Sequence, residues 1–135
     1  MSAIRFAFTK IIVDDLDRLD AFYRPVFEMQ QLMRMQIDVG GDPMEEIVYS
    51  VGGGAPAEPF FALFKFIGRK PPQPGETMLG FMVEDLDGVL LRIATHGGHT
   101  VYAPAIYGEG EAASRVGFAA DPDGRLIELV ESKPA

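Results

Sequence analysis

The chain is expected to fold as an α+β protein of two tandem βαβββ modules, and three features of its sequence say so. A strand-into-helix phrase is written twice, IIVDDLD at residues 11–17 and FMVEDLD at residues 81–87. Each copy is followed by three further strand-like runs, and the proline-rich stretch KPPQPG falls between the two sets. Module one is thus expected over residues 1–69, a linker over 70–76 and module two over 77–135.

The elements can be justified in order. Phe8 to Val13 is a short run rich in β-branched residues, which favours a strand. Asp15 offers a helix N-cap, and Leu16, Leu19, Phe22 and Tyr23 follow at three- and four-residue spacing, the stripe of an amphipathic helix. Three strands are expected next, over 31–39, 45–51 and 60–67. They are separated by the turn signals Gly40-Gly41-Asp42-Pro43 and Gly52-Gly53-Gly54-Ala55-Pro56. The second module repeats the plan. Met78 to Val83 reads as a strand, Asp85 caps, and Leu86, Val89, Leu90 and Ile93 form the apolar stripe before His96-Gly97-Gly98 ends the helix. Strands over 100–106, 115–120 and 125–131 follow, separated by Gly108-Glu109-Gly110 and Asp121-Pro122-Asp123-Gly124. A half of this size cannot bury its own sheet well, so two halves are expected to share a core or to pair across chains.

The bulk numbers bound the function. A length of 135 residues, with 47% hydrophobic and 24% charged residues, fits one globular domain. No apolar run approaches the roughly 18–20 residues needed to cross a bilayer, and MSAIRFAFTK lacks the form of a secretory leader, so a cytoplasmic, membrane-independent protein is expected. The chain has no cysteine, which excludes disulfides and thiolate ligands. Its net charge of −8 argues against nucleic acid and anionic membrane surfaces as partners. Any attraction this charge gives for cationic ligands is weak, because acidic surfaces mostly serve solubility. No phosphate-cradling G-x-x-x-x-G-K-[ST] loop occurs, and no Ser-His-acid arrangement is legible.

Three stretches carry a family likeness: FTKIIVDDLDRLDAFYRPVFEM, LGFMVEDLDGVLLRIATHGGHTV and GFAADPDGRLIELVE. Together they resemble the vicinal oxygen chelate superfamily, which groups glyoxalase I, extradiol dioxygenases, and bleomycin and fosfomycin resistance proteins. The last stretch is the most specific, since Asp121-Pro122-Asp123-Gly124 followed by Leu126-Ile127-Glu128-Leu129 is similar to that family's closing hairpin. The resemblance implies paired βαβββ modules whose curled mixed sheets enclose a cup, commonly in a homodimer. It also implies a divalent metal in the glyoxalase-like members, held by side chains from the first and last strands of each module.

Carried over position by position, that ligand set falls on Phe8, Ala62, Met78 and Glu128. A phenyl ring and a methyl group donate nothing to a cation, and a thioether is a poor ligand for Mg, Mn, Fe(II), Ni or Zn. Only Glu128 matches, and one carboxylate does not make a site that needs three or more protein ligands. No metal ligand and no cofactor is therefore expected. His96 and His99 lie at and just beyond a helix C-terminus, where a histidine interacts with the last carbonyls or stays exposed.

Strand alternation puts residues two apart on one face. If position 8 points into the cup, Lys10 and Ile12 do too, and likewise Phe60, Ala62 and Phe64, then Met78, Gly80 and Met82, then Leu126, Glu128 and Val130. Such a lining suits a small apolar or aromatic molecule; packed against itself, it would be plain core. Ligand contacts are expected from Phe8, Lys10, Phe60, Ala62, Phe64, Met78 and Met82. Tyr102, Tyr107 and Arg115, on a segment readable as a polar mouth, join them. Glu128 is the candidate catalytic residue, because a carboxylate among apolar groups can act as a general acid or base, or anchor a hydroxylated or cationic ligand. An equal reading is that Lys10 neutralises it as a structural ion pair. The resemblance leaves three functions open: a metal-free small-molecule binder of the bleomycin-resistance type, a metal-dependent lyase, isomerase or dioxygenase, and an accessory protein acting by association.

Overall fold

A computed structural model describes residues 4, 6–51 and 60–133. The chain divides into two compact units, residues 1–72 and 73–135. Each unit is a four-stranded mixed sheet with one helix.

The first unit runs β1 (Phe8–Ile12), α1 (Leu16–Val26), β2 (Gln30–Val39), β3 (Asp42–Ser50) and β4 (Phe60–Phe66), with sheet order β1-β4-β3-β2. Strand β1 pairs parallel with β4; the other pairs are antiparallel. The helix starts where the aspartate was expected to cap it, with Asp15 Oδ1 accepting from the Arg18 N–H at 3.0 Å. Its stripe of Leu16, Leu19, Phe22, Tyr23 and Val26 is buried together with Ile11, Ile47, Tyr49, Phe61 and Leu63. Because the strand residues in that set are all odd-numbered, the even-numbered residues of β1, β3 and β4 form the opposite face, open at Phe8 and partly at Lys10 and Phe60 while Glu46, Val48, Ser50, Ala62 and Phe64 are buried in it. The β2–β3 hairpin turns through Gly40 and Gly41, with φ of +61° and +83°, the pair of left-handed residues that a two-residue hairpin turn matching strand twist requires. The turn expected at Gly52-Gly53-Gly54-Ala55-Pro56 lies outside the described residues.

The second unit repeats this with β5 (Leu79–Val83), α2 (Leu86–Thr95), β6 (His99–Tyr107), a short 3-10 turn at Gly110–Ala112, β7 (Ser114–Ala120) and β8 (Leu126–Glu131). The sheet order, β5-β8-β7-β6, mirrors the first. Asp85 Oδ1 accepts from the Gly88 N–H at 3.0 Å, and the helix ends at His96, followed by Gly97 at φ +99°. Gly117 of β7 has no side chain where Pro104 of β6 and Leu86 and Leu90 of α2 approach, so the helix and the edge strand both close onto β7. Strand β6 is largely exposed, and its pairing with β7 shifts register between Thr100 and Tyr102 and again between Tyr102 and Ala105. Among the described residues no helix is long and apolar enough to cross a membrane.

The two modules are also laced by charge on their helix sides. In the first, Tyr49 Oη donates to Asp20 Oδ1 at 2.5 Å, Arg24 reaches both Asp20 and Gln31, and Arg34 bridges Asp17 and Glu45. Burial of the phenol, reinforced by its bond to Asp20, raises the Tyr49 pKa. The hydrogen bond to Asp17, then that to Glu45, raises that of Arg34.

Candidate functional site

The strand register arranges the open face of the first module in rows. Phe8 lies beside Phe60, Lys10 beside Ala62 and then Val48, and Ile12 beside Phe64 and then Glu46. The Phe8 and Phe60 rings stack with centroids 5.2 Å apart and planes 21° from parallel. Phe64 meets Phe66 edge to face at 5.1 Å. This is an aromatic platform on a sheet, produced by the run Phe60-Phe61-Ala62-Leu63-Phe64-Lys65-Phe66, whose alternation puts the rings of Phe60, Phe64 and Phe66 on one face and that of Phe61 on the other.

One polar group is set into that platform. Lys10 Nζ lies 2.8 Å from Glu46 Oε2, with the Phe8 and Phe64 ring centroids 5.2 and 5.0 Å away. The contact is an ion pair to a buried carboxylate oxygen. Ser50 Oγ, on the same strand face as Glu46, is buried and likewise has no hydrogen-bond partner. The expectation that Lys10 serves Glu128 is corrected here: its partner is Glu46, from its own module. Sequence reasoning missed Glu46 because it assigned no face to β3. The signal was present, for in the doublet Glu45-Glu46 alternation must put one carboxylate on each face, and Glu45 is the one that pairs with Arg34 on the helix side.

The open face of the second module has its own row, Tyr102, Phe118, Glu128 and Gly80 in register across β6, β7, β8 and β5. Glu128 is half-buried there, beside the Phe118 ring, which meets the Tyr102 ring edge to face at 5.6 Å. The neighbouring row holds Met82, Val130, Val116 and Ala105, with Met82 70% exposed. Met78 stands one residue before β5 and is half exposed, so the strand is shorter at its start than the sequence suggested. Tyr107 is exposed at the end of β6, opposite Ser114.

Arg115, expected among the ligand contacts, points the other way. Its guanidinium donates to Asp87 Oδ1 at 2.9 Å and to Glu131 Oε2 at 3.3 Å, and Glu131 Oε2 also accepts from the Leu86 N–H. The physical reason is parity: position 115 lies on the sheet face opposite Val116 and Phe118, where the start of α2 supplies a carboxylate. The hydrogen bond to Asp87 raises its pKa further.

The second module has no counterpart of the Lys10–Glu46 pair. Gly80 occupies the row position that Lys10 has in the first module, and Glu128 the one that Ala62 has. The donor set does not fit a divalent metal. Phe8 and Ala62 offer no lone pair, Met78 only a thioether, and among the described residues no three His, Asp or Glu side chains gather as a metal-binding group. His96 and His99 are both exposed.

A sequence profile described as the Glyoxalase/Bleomycin resistance protein/Dioxygenase superfamily matches residues 5–129. The chain belongs to this superfamily. No curated protein sequence matches the chain. Solved structures of similar fold include a glyoxalase family protein from Bacillus cereus, 19% identical with a TM-score of 0.78 over 97% of this chain and 95% of that one. The trypanothione-dependent glyoxalase I of Leishmania major is 27% identical with a TM-score of 0.68, over 96% of this chain and 87% of that one. The fosfomycin resistance protein FosX of Listeria monocytogenes, in a complex with Mn(II) and sulfate, is 18% identical with a TM-score of 0.65, over 98% and 95%. Two repeated βαβββ modules are thus a scaffold that this chain shares with those structures.

Proposed function

We propose that this superfamily member binds a small, largely apolar or aromatic molecule on its open sheet face without using a metal ion. The observation that carries this reading is the chemistry of the four positions at which glyoxalase-like relatives hold their metal. Three of them are Phe8, Ala62 and Met78, and only Glu128 can donate an oxygen. The aromatic platform of Phe8, Phe60 and Phe64 supports it, because stacked and edge-on rings offer large contact area to a flat ligand at little entropic cost. The second module's sheet face carries a set of its own for such a molecule, the adaptable apolar Met78 and Met82 with Tyr102 and Tyr107 on its edge strand. The protein acts in the cytoplasm as a homodimer.

A second reading keeps an enzymatic role, a lyase, isomerase or dioxygenase in which Glu128 serves as acid or base. It is favoured by the position of that carboxylate between Gly80 and Phe118, with aromatic neighbours and open space over the glycine. Two measurements separate the readings. A thermal-shift screen with aromatic compounds is expected to raise the melting temperature, as any ligand of the native state alone must. Metal analysis of protein purified without chelator is expected to find well below one equivalent of any divalent ion. Silence across a broad aromatic library overturns the binding function, and near-stoichiometric Mn, Fe, Ni or Zn turns the assignment to the enzyme.

A further inference from the structure

The ammonium group of Lys10 is incompletely used. It has three N–H donors. Glu46 Oε2 takes up one direction at 2.8 Å, and the Phe8 and Phe64 rings lie at 5.2 and 5.0 Å. Ring faces attract a cation but do not replace an oxygen acceptor, so the ammonium retains donor capacity. The Lys10 side chain is 29% exposed and that of Glu46 only 7%, so an arriving molecule meets the ammonium before the carboxylate behind it. Ser50 Oγ is a second unused donor. Tyr49 pairs with Phe61, so continuing the ladder by one residue brings Ser50 to the row of Phe8 and Phe60.

From this geometry we infer that the first module's open face selects a planar aromatic carboxylate. The ligand ring extends the Phe8–Phe60 stack, and its anionic oxygen accepts from Lys10 Nζ. The inference rests on the small-molecule function proposed above and gives that molecule a charge. Glu46 holds the ammonium in place and cancels its charge when the site is empty. A neutral ligand of the same shape gains the stacking but only a weaker hydrogen bond. A cationic one meets Lys10 head-on, although the chain as a whole is acidic. The direction of selectivity is therefore opposite to what the net charge of −8 suggests.

The test is calorimetric titration of the full chain at neutral pH with 2-naphthoate, 2-naphthamide and 2-naphthylmethylammonium, which share a ring system and differ in charge. Naphthoate is expected to bind about tenfold more tightly than naphthamide, the scale of a hydrogen bond to a charged group, with the ammonium weakest. In the double variant Lys10→Met with Glu46→Gln, which leaves neither charge unpaired, the preference for naphthoate over naphthamide should disappear, with naphthoate losing more affinity than naphthamide, which gives up only its weaker hydrogen bond. Equal binding of the three, tightest binding of the ammonium, or a carboxylate preference that survives in the double variant overturns this inference and leaves the small-molecule function standing. Binding of none overturns both. If the double variant does not fold, the ranking measured on the unaltered chain decides alone.

Discussion

Asp121 and Arg125 form a buried ion pair in the turn between β7 and β8, with Oδ2 and Nη1 2.5 Å apart and side chains only 0% and 6% exposed. Asp121 Oδ1 also accepts from the N–H groups of Asp123 and Arg125, so a single carboxylate organises the whole Asp121-Pro122-Asp123-Gly124 turn. Asp121→Ala leaves the guanidinium buried without its partner and is expected to lower stability by about 3–5 kcal/mol. Urea denaturation checks this. The companion change Arg125→Met in the same background should return part of the loss, and no recovery would mean that the turn bonds carry most of the effect.

Tyr49 gives a pH dependence with a definite sign. Its folded pKa is raised, so folding holds the phenol neutral. The resulting stabilisation is complete below the ordinary tyrosine value of 10.0 and is lost as the pH rises above it towards the folded value. Unfolding free energy should therefore decline above pH 10 more steeply in the unaltered protein than in Tyr49→Phe. At neutral pH the same variant should cost about 1.5–3 kcal/mol, the loss of a hydrogen bond to a charged acceptor. Parallel alkaline slopes for the two proteins would refute the assignment.

The two capping aspartates should behave alike. Asp15→Ala and Asp85→Ala are each expected to cost about 1 kcal/mol, and the double variant the sum, because the caps share no partner. Gly88→Ala should give none of the usual gain from replacing a helical glycine. A β-carbon there would lie 2.4 Å from Asp85 Oδ2 and displace the capping carboxylate. Chemical denaturation of the four variants measures all of this.

Chelation should do nothing. With phenyl, methyl and thioether groups at three of the four positions used by metal-binding relatives, dialysis against EDTA is expected to leave the melting temperature within about one degree, as linkage requires when no ion is bound. A large fall in melting temperature, reversed by adding back one divalent ion, would contradict the proposed function.

The sequence revealed the scaffold well because scaffold signals are local. An aspartate before an apolar stripe starts a helix wherever it stands, and glycine pairs close hairpins by their own torsional freedom, as Asp15, Asp85 and Gly40-Gly41 do here. The open faces were legible only as far as alternation could be anchored. The likeness to known proteins suggested a parity for the first and last strand of each module, and the register sets Phe8 and Lys10 beside Phe60 and Ala62, and Glu128 beside Gly80. Nothing comparable anchored the middle strands, so Glu46 went unnoticed, and Arg115 was expected at a polar mouth although it pairs with Asp87 and Glu131. Partner choice was harder still. Lys10 meets Glu46 along a diagonal across three strands, a relationship that composition does not encode.

Pro104 gives the outer strand of the second sheet a protective character. Strand β6 ends its sheet with Val101, Tyr102 and Ile106 exposed, the profile of a segment that recruits further strands. Proline has no N–H to offer, and the two register shifts around it interrupt the ladder that an incoming strand would have to follow. The sticky side chains of this border can thus remain available for recognition, while stacking of sheets into aggregates is discouraged by the backbone itself.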